Sequence, residues 1–172
     1  DKDVCNGYIP YEDGKDEKGK SIIKLRKQKF NVKHESILND LEEIDFTRAQ
    51  GIVLSDRTDF LHDTAEMLKE RGYRVAVYDG TVSEVQRNRV EAAFKAKKIN
   101  LLCLNQMSGA FGLDWIQEAD YEFYLSNDFS PERRSQAEDR IHRGSQKRQK
   151  FIFDYCIRGT IDERTKRALD QG

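Results

Sequence analysis

Residues 52–78, IVLSDRTDFLHDTAEMLKERGYRVAVY, carry the pattern on which the fold turns. An apolar run, Ile52 to Leu54, leads into a helical stretch from about Thr58 to Arg71 that Gly72 closes, and Val75 to Tyr78 is again extended. The same rhythm continues downstream. Ser83 to Phe94 reads as a helix, with Ser83 and Gln86 in the capping-box arrangement, each side chain satisfying a free amide at the helix start. Leu101 to Leu104 is extended, a glycine-containing loop runs from Asn105 to Trp115, and Tyr121 to Leu125 is extended. A helix follows from Pro131 to His142, with Ser130 as N-cap and Gly144 at the exit. Phe151 to Cys156 is a last β-type run, and Thr160-Ile161-Asp162-Glu163 opens a terminal helix as a second capping box. Five apolar runs alternating with helices predict an α/β domain. Its mainly parallel sheet should be covered on both faces, because parallel strands need crossover connections. Ligands on such sheets bind beyond the carboxyl ends of the strands.

Upstream, Ile37, Leu38, Leu41 and Ile44 place one apolar face on a helix from about Glu35 to Ile44. Residues 1–33 are irregular and lysine-rich, with short extended pieces at Tyr8-Ile9 and Ser21 to Leu25. They read as a loose hairpin leading into a domain over residues 34–172. Gly14-Lys15-Asp16-Glu17-Lys18-Gly19-Lys20-Ser21 matches the P-loop pattern letter for letter. A phosphate cradle must leave a buried strand and open a helix. Here Pro10 breaks the preceding stretch and the following one is β-branched, so a solvated hairpin turn is the better reading.

With 172 residues there is room for one core. The 37% apolar and 35% charged composition and the mean hydropathy of −0.82 describe a folded chain with a heavily charged surface. A net charge of −1 gives no bulk argument for nucleic acid, so such a site must come from local clustering. Residues 132–150 supply it, with seven basic side chains against three acidic ones, a strip that includes Arg133, Arg134, Arg140, Arg143, Lys147, Arg148 and Lys150. Cys5, Cys103 and Cys156 form no CxxC pair, and the last two lie in apolar runs, which fits a reduced, intracellular setting. His34, His62 and His142 lack metal-ligand spacing, so no metal is expected within the protein. No apolar stretch of about 18 residues and no secretory leader is visible, so no membrane is expected. A first residue of Asp1 rather than Met reads as a piece of a longer chain.

The chemistry concentrates in Gln136-Ala137-Glu138-Asp139-Arg140-Ile141-His142-Arg143-Gly144-Ser145-Gln146. Arg140 and Arg143, three apart, share a helix face, and two guanidinium forks on one face suit phosphoryl oxygens. Spacing alone equally allows a solvated helix whose charges pair along its surface.

The stretch resembles motif VI of the Swi/Snf group of superfamily-two helicases, Gln-Ala-x-Asp-Arg-x-His-Arg-Ile-Gly-Gln. Ahead of it, Gly109-Ala110-Phe111-Gly112-Leu113-Asp114 and Asp128-Phe129-Ser130-Pro131 resemble that family's Gly-x-Gly-Leu-Asn and Asp-Trp-Asn-Pro elements. Ile52 to Ser55 is similar to motif IV, and Tyr78-Asp79-Gly80-Thr81 with Arg87 to Phe94 to the Asp-Gly element and its helix. The likeness covers roughly residues 35–165. It implies the C-terminal, RecA-like lobe of a double-stranded DNA translocase or remodeller. ATP with Mg2+ would be bound mainly by a first RecA-like lobe of the same longer chain.

The same resemblance implies that Arg140 and Arg143 act as arginine fingers on the γ-phosphoryl group, with Gln136 positioning them. Gly109, Gly112 and Asp114 would approach the nucleotide, and Ser55, Arg57, Gly80, Thr81, Met107 and Ser108 the DNA backbone. Two departures stand out: Gly144-Ser145 replaces Ile-Gly, and Asp114 replaces Asn. Trp115 is expected as packing rather than a base-stacking platform. No Asp-Glu-x-His box follows an apolar strand, so hydrolysis should need the other lobe. The location implied is intracellular, cytoplasmic, or nuclear in a eukaryote. A module retained for nucleic-acid binding or scaffolding without hydrolysis is the competing reading, and the Asp-Arg-x-His-Arg pattern disfavours an RNA helicase.

Overall fold

The computed structural model describes residues 8–27, 31–106, 113–127, 130–141 and 149–171; the side chains of Tyr8, Ile9, Pro10, Leu25, Lys27, Arg133, Ala137, Arg140, Ile141 and Gln171 are not among those described. Five strands form one parallel sheet: β3 (Gly51–Ser55), β4 (Val75–Tyr78), β5 (Leu101–Asn105), β6 (Tyr121–Tyr124) and β7 (Phe151–Asp154), in the order β4-β5-β3-β6-β7. The crossovers are α2 (Thr58–Glu70), α3 (Glu84–Lys95), a 3-10 helix (Asp114–Glu118) and α4 (Pro131–Ile141), with α1 (Val32–Glu42) before the sheet and α5 (Ile161–Gln171) after it. This is a parallel α/β lobe, as the alternation predicts, and it has the RecA-like form that the resemblance implies.

Period-2 alternation along the strands builds two cores. Val53, Leu101, Cys103 and Phe123 face α1 and α2, meeting Ile37, Leu41, Phe60, Leu61 and Leu68. Ile52, Leu54, Leu102, Leu104 and Tyr124 face the other side, meeting Phe94, Trp115 and Ile116. β3 is wholly buried because it lies at the centre of the sheet. Its first residue must be glycine-sized, since a Cβ on Gly51 would stand 2.8 Å from Phe123 Cε2 and 3.0 Å from Leu101 Cδ2. Trp115 meets Tyr78 and Phe94 edge-on with centroids 5.9 and 5.5 Å away, and is packing, as expected.

Several elements differ from their sequence reading. Helix α1 begins at Val32 rather than near Glu35, because Asn31 caps it: its side chain accepts from the amides of Lys33 and His34, and His34 Nδ1 accepts from Asn31 N–H. The Ser83–Gln86 capping box forms as expected. At α5, Thr160 accepts from Asp162 N–H, but the carboxylate that reaches back to the chain is Asp162, on Ile157 N–H at 3.1 Å, rather than Glu163. Strand β7 is an edge strand with Phe151 and Ile152 42% and 39% exposed, and Cys156 beyond it is exposed rather than a buried small hydrophobe.

The P-loop look-alike is the turn of an antiparallel hairpin, β1 (Tyr8–Lys15) with β2 (Ser21–Lys27). Gly14 and Gly19 take φ of +101° and +76°, which the turn requires. The amides of Lys18 and Lys20, which a phosphate would need, are both held by Asp16 Oδ1 at 2.9 Å, and no helix follows.

Candidate nucleotide and DNA interface

The chain passes from β3 toward β4 on one side and from β6 toward β7 on the other, so the adjacent strands β3 and β6 flank the switch point of the sheet. A tight polar cluster closes the carboxyl ends of these strands. Ser126 Oγ lies 2.7 Å from Ser55 Oγ and donates to Asp56 Oδ1 at 2.6 Å. Gln106 Nε2 donates to Ser126 O at 2.9 Å and to Asn127 Oδ1 at 3.2 Å. The bonds join the loops after β3, β5 and β6 into one platform.

Ser55, expected as a DNA contact, lies inside this cluster. It is fully buried, its hydroxyl engaged by Ser126 and by the amide of Arg57 at 3.0 Å, and its role is to shape the loop. Arg57 stands at the entry to α2 with its fork on both oxygens of Asp59, at 3.2 and 3.1 Å. Gly80 and Thr81 are exposed beyond β4 on the same edge. Both Thr81 donors, N–H at 2.8 Å and Oγ1 at 2.6 Å, point back to Asp79 Oδ1, leaving the Thr81 hydroxyl as an acceptor toward solvent.

Asp79 is 1% exposed and also meets His62 Nε2 at 2.6 Å. Burial acts to raise its carboxyl, but the hydrogen bonds from Thr81 and His62 outweigh burial and hold it below the usual carboxylate range. Asp79 and His62 thus brace the loop that carries Gly80 and Thr81. The Asp-x-Thr spacing signals such a turn in sequence, whereas His62, 17 residues away, carries no signal.

A crossover helix between parallel strands runs against them, so α4 starts at the carboxyl edge and carries Gln136 and then Arg140 toward the amino edge. It packs against the 3-10 helix that begins with Asp114. Gln136 and Asp114 are exposed. Arg140 lies in the last turn of α4. Met107, Ser108, Gly109, Gly112 and Arg143 lie outside the described residues, as do Asp128, Phe129, His142, Gly144, Lys147 and Arg148. Arg134, counted in the basic strip by its sequence position, faces the sheet with its side chain 12% exposed.

The conserved C-terminal domain of helicases matches residues 35–145, well over half of the chain. The chain belongs to this helicase C-terminal family. The lobe is 30% identical over 138 residues to a DNA repair protein RAD5 from Cryptococcus neoformans, covering 78% of the chain and 11% of that protein. It is 34% identical over 108 residues to the chromatin-remodeling ATPase INO80 of Aspergillus oryzae, covering 62% of the chain and 7% of that protein. The helicase lobe thus spans about a tenth of the length of these curated relatives. The C-terminal part of the Fun30 ATPase domain superposes with a TM-score of 0.71 at 22% identity, over 80% of this chain and 45% of that one, a likeness of fold. The lobe is of the Swi/Snf type of superfamily two.

Sequence reasoning on this lobe missed Asp56, Ser126 and Gln106, and counted Arg134 only in the basic strip. Asp56 and Ser126 are 70 residues apart and meet only because β3 and β6 are neighbours.

Proposed function

We propose that this chain is the second motor lobe of an ATP-dependent double-stranded DNA translocase or remodeller, inactive in hydrolysis without a first lobe. What carries the reading is the neighbourhood of α4 and the 3-10 helix: the helix with Gln136 and Arg140 packs on the element that opens with Asp114. Asp114, with Gly109 and Gly112 just before it in the chain, would contact the nucleotide, and Arg140 and Arg143 would supply the arginines. Candidate DNA contacts, Arg57, Gly80, Thr81, Met107 and Ser108, belong to the carboxyl edge or the loop that leaves it.

The arginines contribute charge to the γ-phosphoryl group as it transfers, and Gln136 orients them. Mg2+ and most of the ATP would be held by the first lobe. The DNA contacts are to the backbone, so sequence preference is weak and affinity falls steeply with salt. Intracellular action on DNA, nuclear in a eukaryote, follows from this reading.

The test is ATP turnover with and without duplex DNA for the full-length protein and its Arg143→Ala and Arg140→Ala variants. The expected result is DNA-stimulated turnover that falls ~10³-fold on removal of the finger. An inactive full-length protein that still binds DNA favours the scaffold reading instead.

A further inference from the structure

Helix α4, PERRSQAEDRI, has only Ala137 and Ile141 as apolar residues after its opening proline, so it has little apolar surface to offer the sheet. Among the described side chains the anchoring is polar and centres on Arg134. Its Nη1 and Nη2 donate to the two oxygens of Asp154 at 2.7 and 3.1 Å. Nη1 also donates to Asn127 Oδ1 at 3.0 Å, and Nε donates to Glu138 one turn along the helix. The guanidinium lies over the Tyr124 ring, with Cζ 3.3 Å from its centroid.

The strand register produces this seat. Tyr124 pairs with Asp154, and alternation turns both toward the α4 face of the sheet. Lys166 of α5 reaches Asp154 Oδ2 at 3.8 Å, so the same carboxylate also joins the terminal helix. A planar fork held by two coplanar oxygens and lying over a ring fixes rotation as well as distance, which a single point charge does not.

We propose that Arg134 is the positioning residue for the arginine-bearing end of α4, setting where Arg140 and Arg143 stand by locking the first half of the helix to β6 and β7. The inference rests on the reading of those arginines as groups that meet the γ-phosphoryl. Arg140 lies six residues along the helix, about 9 Å from the anchor. A tilt of roughly 10° about Arg134 displaces the backbone there by about 1.6 Å, and a misplacement of ~1 Å can lower turnover ~10²-fold.

Arg134→Lys keeps the charge and loses the fork, whereas Asp154→Asn removes the same link from the strand with an isosteric side chain. Both go into the full-length protein beside Arg143→Ala, with ATP turnover at saturating duplex DNA, DNA affinity and thermal midpoint measured for each. The expected result is a fall in kcat of about 10- to 100-fold for both, with DNA affinity within about twofold and the midpoint above the assay temperature. If Arg143→Ala abolishes turnover while either Arg134→Lys or Asp154→Asn leaves it intact, the proposal is wrong and the finger reading survives. Loss of turnover that tracks the unfolded fraction, or an equal loss of DNA affinity, also overturns it, because a merely structural ion pair behaves so. If Arg143→Ala leaves turnover unchanged, the finger reading fails and this inference fails with it.

Discussion

Glu122 sits in the middle of an otherwise apolar strand, 1% exposed, with Oε2 accepting from Tyr124 Oη at 2.9 Å. Burial pushes its carboxyl up to about 7, against the Tyr124 hydrogen bond, which favours ionisation. Its proton is therefore held more tightly in the folded state than in the unfolded one. Between the ordinary carboxylate range near 4.5 and about 7, rising pH removes stability as the buried group is forced to ionise, and the loss is complete above about 7. Glu122→Gln should be the more stable protein at pH 8, by up to about 2–3 kcal/mol, and equal to the native chain near pH 4.5. Urea midpoints of both proteins at pH 5 and pH 8 test this, and parallel stability curves would rule it out. A glutamate within the 121–125 run is conspicuous in the sequence, but the ring and guanidinium around it come from register and from α4.

Helix α1 shows how a cap couples to protonation. His34 Nδ1 accepts from Asn31 N–H at 3.3 Å, so the neutral ring carries its proton on Nε2, 3.0 Å from Thr64 Oγ1, and the ring stacks on Phe60 at 4.9 Å. A second proton would face the Asn31 amide and break the capping box. Burial accordingly lowers the imidazole to about 4. Unfolding then takes up a proton once pH falls below about 6.5, so stability is lost from there down toward pH 4, opposite in sign to Glu122. His34→Gln keeps an acceptor for the box, as Gln86 does at Ser83, but loses the ring. It should be about 1–2 kcal/mol less stable at pH 7 and show a flatter decline between pH 6.5 and 4. Denaturant titrations at pH 7, 5.5 and 4.5 would show it, and an unchanged acid slope would refute it. The Ser83–Gln86 box is legible because both partners are local and of the usual types. The Asn31–His34 box escapes because histidine stands where Glu or Gln is the usual signal.

At the scale of the molecule, the β1–β2 hairpin forms a sheet of its own while the five-stranded sheet holds the buried core. Removing residues 1–27 should leave the thermal midpoint of the lobe within about 2 °C, since the described hairpin side chains are all exposed and less than about 0.5 kcal/mol would be lost. A melt followed by circular dichroism decides this, and a fall of 10 °C would mean that the hairpin completes the fold. The link that crosses the lobe lies elsewhere. Lys33, 1% exposed, donates to Leu125 O at 2.5 Å and pairs with Asp162 at 2.8 Å, joining α1 to the end of β6 and the start of α5. No sequence spacing relates positions 33, 125 and 162.

The sequence by itself determined the parallel α/β lobe, its family and the identity of the arginine helix. Hydrophobic period, caps and contiguous motifs are local and survive in one dimension. It also exposed the false P-loop, because the confirming strand and helix are equally local. Only the tertiary structure decided that Ser55 is an internal strut, that Thr81 turns its donors inward and that Arg134 faces the sheet rather than solvent. Those outcomes depend on which strands are neighbours and on which face a residue falls. Partners such as Asp56 and Ser126 are selected by sheet order, and a parallel sheet assembled through crossovers brings together residues that no spacing rule connects.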